Sequence, residues 1–375
     1  FSGPIAFLGQ ETFRGVSIAA ELINERGGIN GRKIELVKAD ATSPNVARSE
    51  AERLADTGLK VVIGTNSSGL AIVASQVLER KKVIFWEPGS AAEQITSRGF
   101  KYTFRTVPAG AAWANTLTDF AVKQLAPKIG KTQQNVRIAI KHEDGAFGNS
   151  IARLIQKRLE FYKIKPVAVE SYSARSTDLS SLILKLRAAK ADIVMSADYP
   201  NDAILFARQS QELGLKTKAI VGWAGVASPS FRKEIGDYAD GMMSINMPTD
   251  IDASKLTEEA RKLRQIFRDR YMKMTNRSPT PFAAVGFDGA WILFKYVLPK
   301  AGKMDADAIR AAAMALDLPE GSLPMGWGVK FSGPGQMGKH LGQNMRSFVG
   351  VTQWQNGRFN LVWPARWASK PLQKP

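Results

Sequence analysis

The sequence predicts an α/β fold of two lobes, each a parallel sheet wrapped by helices, and three observations predict it. Short apolar runs alternate with helical stripes almost to the end of the chain, the grammar of parallel βαβ units. The strand candidates are too many for one comfortable doubly wound sheet. The rhythm also breaks near Arg105-Thr106-Val107-Pro108 and again at Asn246-Met247-Pro248. A chain that passes between lobes several times favours a hinge over a single flexible linker.

The first element is a Ser2-Gly3-Pro4 turn that opens into an amphipathic segment carrying Ile18, Leu22 and Ile23. Gly27-Gly28 closes it, a stop that glycine fills at little cost. Residues 33–37 read as a strand, and Asp40-Ala41-Thr42-Ser43-Pro44 as the loop opening the next helix. A parallel sheet also calls for a strand ahead of Ser2, upstream of Phe1. Further strands are predicted at 59–64, 83–86, 102–106, 136–141, 167–171, 192–196, 219–222 and 241–246. Between them run helical stripes at i, i+3, i+4 and i+7 spacing: Leu70, Val73, Ala74, Val77 and Leu78; Ile151, Leu154, Ile155 and Leu159; Leu179, Leu182, Ile183 and Leu186. A long helical region covers 255–316, and an irregular Gly-rich stretch covers 321–342. A strand pair at 348–354 and 359–363 is joined by a Gln355-Asn356-Gly357 turn.

At 375 residues and 44% hydrophobic content the chain can furnish two cores. No run approaches about 18 consecutive apolar residues, so no membrane span is expected. The absence of Cys excludes disulfides, thiolate metal sites and a cysteine nucleophile. A net charge of +18 raises the question of nucleic acid. Its densest block, Arg261-Lys262 through Arg264, Arg268 and Arg270, has the spacing of a solvated helix beside Glu258 and Glu259. The charge therefore reads as a soluble basic surface or as an anion-attracting field. With no nucleic-acid-binding signature present, no such partner is expected.

Catalytic motifs are weak. Gly333-Pro334-Gly335-Gln336-Met337-Gly338-Lys339 satisfies P-loop spacing, but His340 stands where Ser or Thr is needed and no apolar strand leads in. His142 and His340, the only histidines, are too few for a zinc site, so neither metal nor cofactor is expected. His142-Glu143-Asp144 follows a strand and could serve acid–base chemistry, or simply line a cleft or cap a helix. No G-x-S-x-G elbow or nucleotide-binding glycine fingerprint occurs. The remaining signals sit at carboxyl ends of strands, where open α/β sheets bind ligands. They are Gly64-Thr65-Asn66-Ser67-Ser68-Gly69, then Trp86-Glu87-Pro88-Gly89-Ser90-Ala91, and Asp144, Phe147, Tyr199 and Trp223.

These residues carry a resemblance. The sequence resembles the periplasmic leucine/isoleucine/valine-binding proteins, the type I solute-binding components of ABC transporters. The likeness rests on Ser2-Gly3-Pro4, on Ile23-Asn24 through Gly27-Gly28-Ile29-Asn30-Gly31, and on Val62-Ile63-Gly64 with Ser67-Ser68. Ile95-Thr96-Ser97-Arg98-Gly99, Phe104-Arg105-Thr106, Phe147-Gly148, and Asp192-Ile193-Val194 leading to Tyr199 extend it over nearly the whole chain.

The resemblance implies two Rossmann-like lobes of the type I periplasmic binding protein fold, joined by a three-crossing hinge near Pro108, Met247 and Ser347. The first lobe would be 1–107 with 248–346, and the second 108–247 with 347–375. A small carboxylate-bearing ligand would be trapped as the lobes close. The protein would be a monomer without catalytic activity, located in the periplasm, that hands its ligand to a membrane permease. A removed signal peptide and the first strand would lie upstream.

By the same resemblance, Ser68, with Ser67 beside it, falls at the carboxylate-binding serine. Gly89 falls at the carbonyl that takes an ammonium, and Ala91 at a hydroxyl partner that Ser90 could replace. Phe147 and Tyr199 fall at second-lobe aromatics, Trp223 shapes the same pocket, and Leu8 and Phe282 form a wall. Ala224 departs from the pattern, because amino-acid binders usually carry an acid there, and a buried ammonium without a counter-charge is costly. Either the ligand lacks an ammonium, as in an aromatic, aliphatic or 2-oxo acid, or Glu87 or Asp198 takes over. The plain alternative for Glu87 is a salt bridge, with Arg105 a candidate. Rival readings are an enzyme using His142 or Asp144 and a ligand sensor of the same fold acting in signalling.

Overall fold

The structure, a computed structural model, describes residues 1–3, 5–223 and 225–375. The chain divides into two compact units, residues 1–109 with 253–348 and residues 110–252 with 349–375.

In the first unit, β1 (Val61–Ile63), β2 (Ile84–Glu87) and β3 (Thr103–Arg105) form a parallel sheet in that order. The middle strand is buried throughout, so successive side chains must find apolar partners on opposite faces. Phe85 joins Ala71, Ala74, Val77 and Leu78 of the helix Ser68–Arg80. Trp86 packs against Phe104 and Phe331, with ring centroids 5.6 and 5.3 Å away. Its indole N–H donates to the Gly289 carbonyl at 2.8 Å, in the helix Pro281–Trp291.

That helix meets the helix Ala6–Glu25 backbone to backbone, and glycine permits the approach. A Cβ on Gly15 would strike the Ala283 carbonyl, and one on Gly286 would strike the Thr12 carbonyl. We expect Gly286→Ala to lower stability by about 2–3 kcal/mol, since the obstructing atoms are main chain and cannot swing aside. A urea midpoint equal to that of the unsubstituted protein, with equal slope, would contradict this. The stretch Pro281–Lys300 is long and apolar enough by composition to cross a membrane, but it is almost wholly buried inside this unit. Its apolarity is that of a core helix.

Residues 33–37 differ from expectation. They alternate in burial as a strand would, with Ile34 and Leu36 half-buried and Lys33, Glu35 and Val37 exposed, yet they join no ladder among the described residues. The Gly-rich stretch also has more order than expected. Asp317–Leu318 pairs antiparallel with Val329–Lys330, and Gln343 bridges to Arg105 beside β3.

In the second unit, β4 (Ile138–Glu143), β5 (Ala168–Tyr172), β6 (Ile193–Ala197), β7 (Ala219–Gly222), β8 (Met243–Asn246), β9 (Gly350–Gln355) and β10 (Arg358–Trp363) form one sheet. Its order is β10-β9-β8-β7-β6-β4-β5, parallel from β8 to β5, with β9 antiparallel to both neighbours. Asn356 and Gly357 both have positive φ at the β9–β10 turn, the conformation a two-residue hairpin needs. The predicted strands from 59–64 to 359–363 are all realised, no bound lying more than two residues from its expected place.

Strand order reverses at β4. The chain leaves β4 for β5 on one side and returns as β6 on the other. The carboxyl ends of β4 and β6 therefore flank a topological switch point, where open α/β sheets take ligands.

Candidate functional site

In the first unit the ends of β1 and β2 carry two loops that a buried acid holds together. Glu87 is fully buried, and its carboxyl accepts three main-chain N–H groups. Gly89 and Ser90 donate at 2.7 and 2.8 Å from its own loop, and Thr65 donates at 2.6 Å from the neighbouring loop. Burial raises its pKa to about 7, against the opposing pull of those amides. The salt bridge to Arg105, the plain alternative for Glu87, does not form. The Arg105 side chain, also fully buried, donates to Gln343 Oε1 at 2.6 Å, to the Ala92 and Ser90 carbonyls at 2.7 and 3.4 Å, and to Thr96 Oγ1 at 3.1 Å. The second loop is thus held by its amides from one side and by its carbonyls from the other.

The sequence-predicted residues of this unit sit on that frame. Ser67 is the N-cap of the helix Ser68–Arg80 and makes no side-chain capping bond. The first amides of a helix have no intrahelical acceptor, so this end presents N–H donors. Ser68 is buried, and its hydroxyl accepts the Ala92 N–H at 3.1 Å, a second tie between the loops. The Ser90 hydroxyl is buried near the Glu87 carboxyl without completing a hydrogen bond to it, and Ala91 is buried beside it. A Cβ on Gly89 would overlap the Asn66 side chain, so any larger residue there would displace Asn66. Asn66 in turn donates to Thr12 Oγ1, which donates to the Phe282 carbonyl at 3.3 Å. Leu8, one helical turn before Thr12, and Phe282 are both buried. One chain of bonds thus joins the loops to the helices that carry the predicted wall.

In the second unit the ends of β4, β6 and β7 carry an aromatic group. Phe147 lies 5.4 Å from Tyr199 and 5.2 Å from Trp223, the latter pair edge to face at 72°. Trp113 stacks on Trp223 at 4.4 Å and 24°. Sequence reasoning missed Trp113, whose place in an apolar helical stripe gave no hint of a strand-end partner. Glu143 at the end of β4 accepts the Gly145 and Gly148 amides, and burial raises its pKa. Ala224 lies outside the described residues.

Both acids proposed to balance an ammonium have other partners. Glu87 serves three amides. Asp198 pairs with Lys141 at 3.0 Å, both buried, and accepts the Trp223 N–H at 3.2 Å. His142 is buried with Nδ1 2.8 Å from the Glu143 carbonyl. His340 contacts Glu93 and Thr96 at 2.7 and 2.8 Å. The P-loop-like stretch is a tight turn closed by a Gly335–Gly338 bridge. Among the described residues no group of three or more His, Cys, Asp or Glu could hold a metal ion. A cavity of about 550 Å³ in the second unit is lined by Thr217, Lys218, Tyr238 and Met242, and by none of the predicted residues.

A family model described as periplasmic binding protein matches residues 1–358. The chain is 34% identical over 380 residues to Leu/Ile/Val-binding protein homolog 7 of Brucella suis, a match that covers 100% of this chain and 92% of that protein. Among solved structures, a periplasmic binding protein type 1 from Bordetella pertussis superposes with a TM-score of 0.80 at 19% identity, over 96% of each chain. The substrate-binding protein LivJ of Streptococcus pneumoniae, in complex with isoleucine, superposes with a TM-score of 0.79 at 20% identity, over 96% of this chain and 94% of that one. At such identities the two structures establish a shared fold.

Proposed function

The chain belongs to the periplasmic binding protein family, and from that premise we propose that it is the substrate-binding component of an ABC transporter. It captures a branched-chain or similar hydrophobic amino acid in the periplasm and delivers it to a membrane permease. The family is one of solute-binding proteins rather than enzymes. The likeness to a Leu/Ile/Val-binding homolog supports the ligand class.

One observation carries the site assignment: Glu87 ties the loops after β1 and β2 together, beside the start of the helix Ser68–Arg80, whose first amides have no intrahelical acceptor. The ligand carboxylate is assigned to these loops, with Ser67, Ser68 and Ser90, and the Gly89 carbonyl to an ammonium. Its apolar part is assigned to Phe147, Tyr199 and Trp223, with Leu8, Ala91 and Phe282. A second reading has its own support, because Glu87 and Asp198 are both engaged elsewhere. On that reading the ligand is a carboxylate without an ammonium.

Titration calorimetry with leucine, isoleucine, valine, 2-oxoisocaproate and benzoate decides between them. Binding of the amino acids is the expected result and supports the first reading. Binding of the acids alone supports the second, and binding of none overturns both. A bound ligand should also raise the melting temperature with concentration.

A further inference from the structure

Lys141 is wholly buried at the carboxyl end of β4, far from water for a lysine. Its ammonium lies 3.0 Å from Asp198 Oδ2 and over the rings of Tyr172 and Phe206, 5.0 and 4.3 Å from their centroids. A second buried acid, Asp202, completes the group and accepts the Tyr172 hydroxyl. The other oxygens of the two acids point to main chain rather than to charge. Asp198 Oδ1 accepts the Trp223 N–H at 3.2 Å, and Asp202 Oδ1 accepts the Tyr199 N–H at 2.9 Å. Each acid therefore holds the backbone of one aromatic residue in the group formed by Phe147, Tyr199 and Trp223.

We propose that Lys141, Asp198 and Asp202 form a buried positioning network that sets the Tyr199 and Trp223 rings and thereby the ligand specificity of the second unit. This rests on the ligand reading above. Lys141 faces Asp198 within a site closed to water, with a second acid close by. Glu143, at the end of the same strand, adds a further acid to the surroundings of Tyr172. Burial and the Asp198 charge raise the pKa of Asp202 to about 6, so the network holds fewer negative charges below that pH. None of these three residues touches ligand in the proposal; they act through the two rings.

The test compares two double variants, Lys141→Met/Asp198→Asn and Lys141→Met/Asp198→Leu. Both replace the buried ion pair with neutral groups, a change that often leaves stability intact. Only the asparagine retains an oxygen for the Trp223 amide. Two readouts apply: affinity for L-leucine by calorimetry, and the circular-dichroism couplet of the stacked Trp113–Trp223 pair, assigned by its loss in Trp113→Phe. We expect the asparagine variant to bind within threefold of the unsubstituted protein and to keep the couplet. The leucine variant should bind at least tenfold more weakly and lose the couplet, even if its melting temperature matches.

Equal affinity and equal couplets in the two variants would overturn the proposal. So would a couplet lost in both, because the amide acceptor would then not be what positions Trp223. If L-leucine fails to bind even the unsubstituted protein, the ligand reading falls, while the couplet still decides the network. Should either double variant not fold, Asp202→Leu applies the same couplet test through Phe147, Tyr199 and Trp223. A retained couplet with unchanged leucine affinity in that variant overturns the role of Asp202.

Discussion

Glu87→Ala is expected to destabilise the first unit by about 3–6 kcal/mol at pH 5, because one buried and two partly buried loop amides lose the carboxyl they share as acceptor, at about 1–2 kcal/mol each. Thr65, Gly89 and Ser90 donate those amides, and all three lie in the loops assigned to the ligand carboxylate. Ligand affinity should therefore fall at least a hundredfold at any pH where the variant stays folded. The stability loss should itself depend on pH. The folded pKa of Glu87 is raised to about 7 from an ordinary 4.5, so the folded protein holds a proton that the unfolded chain has released across that window. Stability contributed by the protonated group is complete below about 4.5 and declines as pH rises to 7. At about 1.4 kcal/mol per unit the decline is about 3 kcal/mol, and the penalty of removing Glu87 shrinks by that much between pH 5 and pH 8. Urea denaturation of both proteins at the two pH values checks the sign. A penalty that grows with pH would show that the carboxylate, not the acid, is the form the fold favours.

Asp288→Asn should act in the opposite direction and stabilise the protein in alkali. Asp288 is fully buried in the helix Pro281–Trp291. One oxygen accepts the Met325 N–H at 3.2 Å, and the other has no hydrogen-bond partner. Burial raises its pKa to about 8 from 3.8, so it too is folded with its proton, and stability falls as pH climbs through that range. Asparagine keeps an acceptor for Met325 and cannot ionise. At pH 9 the variant should exceed the unsubstituted protein by up to about 5 kcal/mol, and at pH 4 the two should nearly coincide. Chemical denaturation at pH 4, 7 and 9 measures this. A difference that does not widen with pH sinks the idea.

Local order was readable because it is local. The run at 219–222 is apolar on both faces and becomes β7 unshifted, since a strand buried on both sides must be apolar throughout. The residues at 33–37 show the limit of that logic. Alternation tells which way side chains would point, but only a partner makes a strand, and pairing is not written in the segment itself. The candidate acids failed to reveal their roles for the same reason. Asp198 is neutralised by Lys141, 57 positions away, and Arg105 is held by Gln343, 238 positions away. Glu87 was one residue beyond the expected strand end, where a reader sees a loop acid free to meet a ligand. Its place as the last residue of β2 turns it inward to the loop amides instead.

Glu87 and Arg105, without touching each other, hold one loop from two sides. The acid grips the loop amides and the guanidinium grips its carbonyls, and both grips are on main-chain groups that every residue except proline possesses. Side chains at Ser90 and Ala91 are therefore not needed to keep the loop in shape. Both positions can change while the scaffold below stays constant. The shape of this loop is therefore set from beneath it, by two buried side chains, rather than by the residues along it.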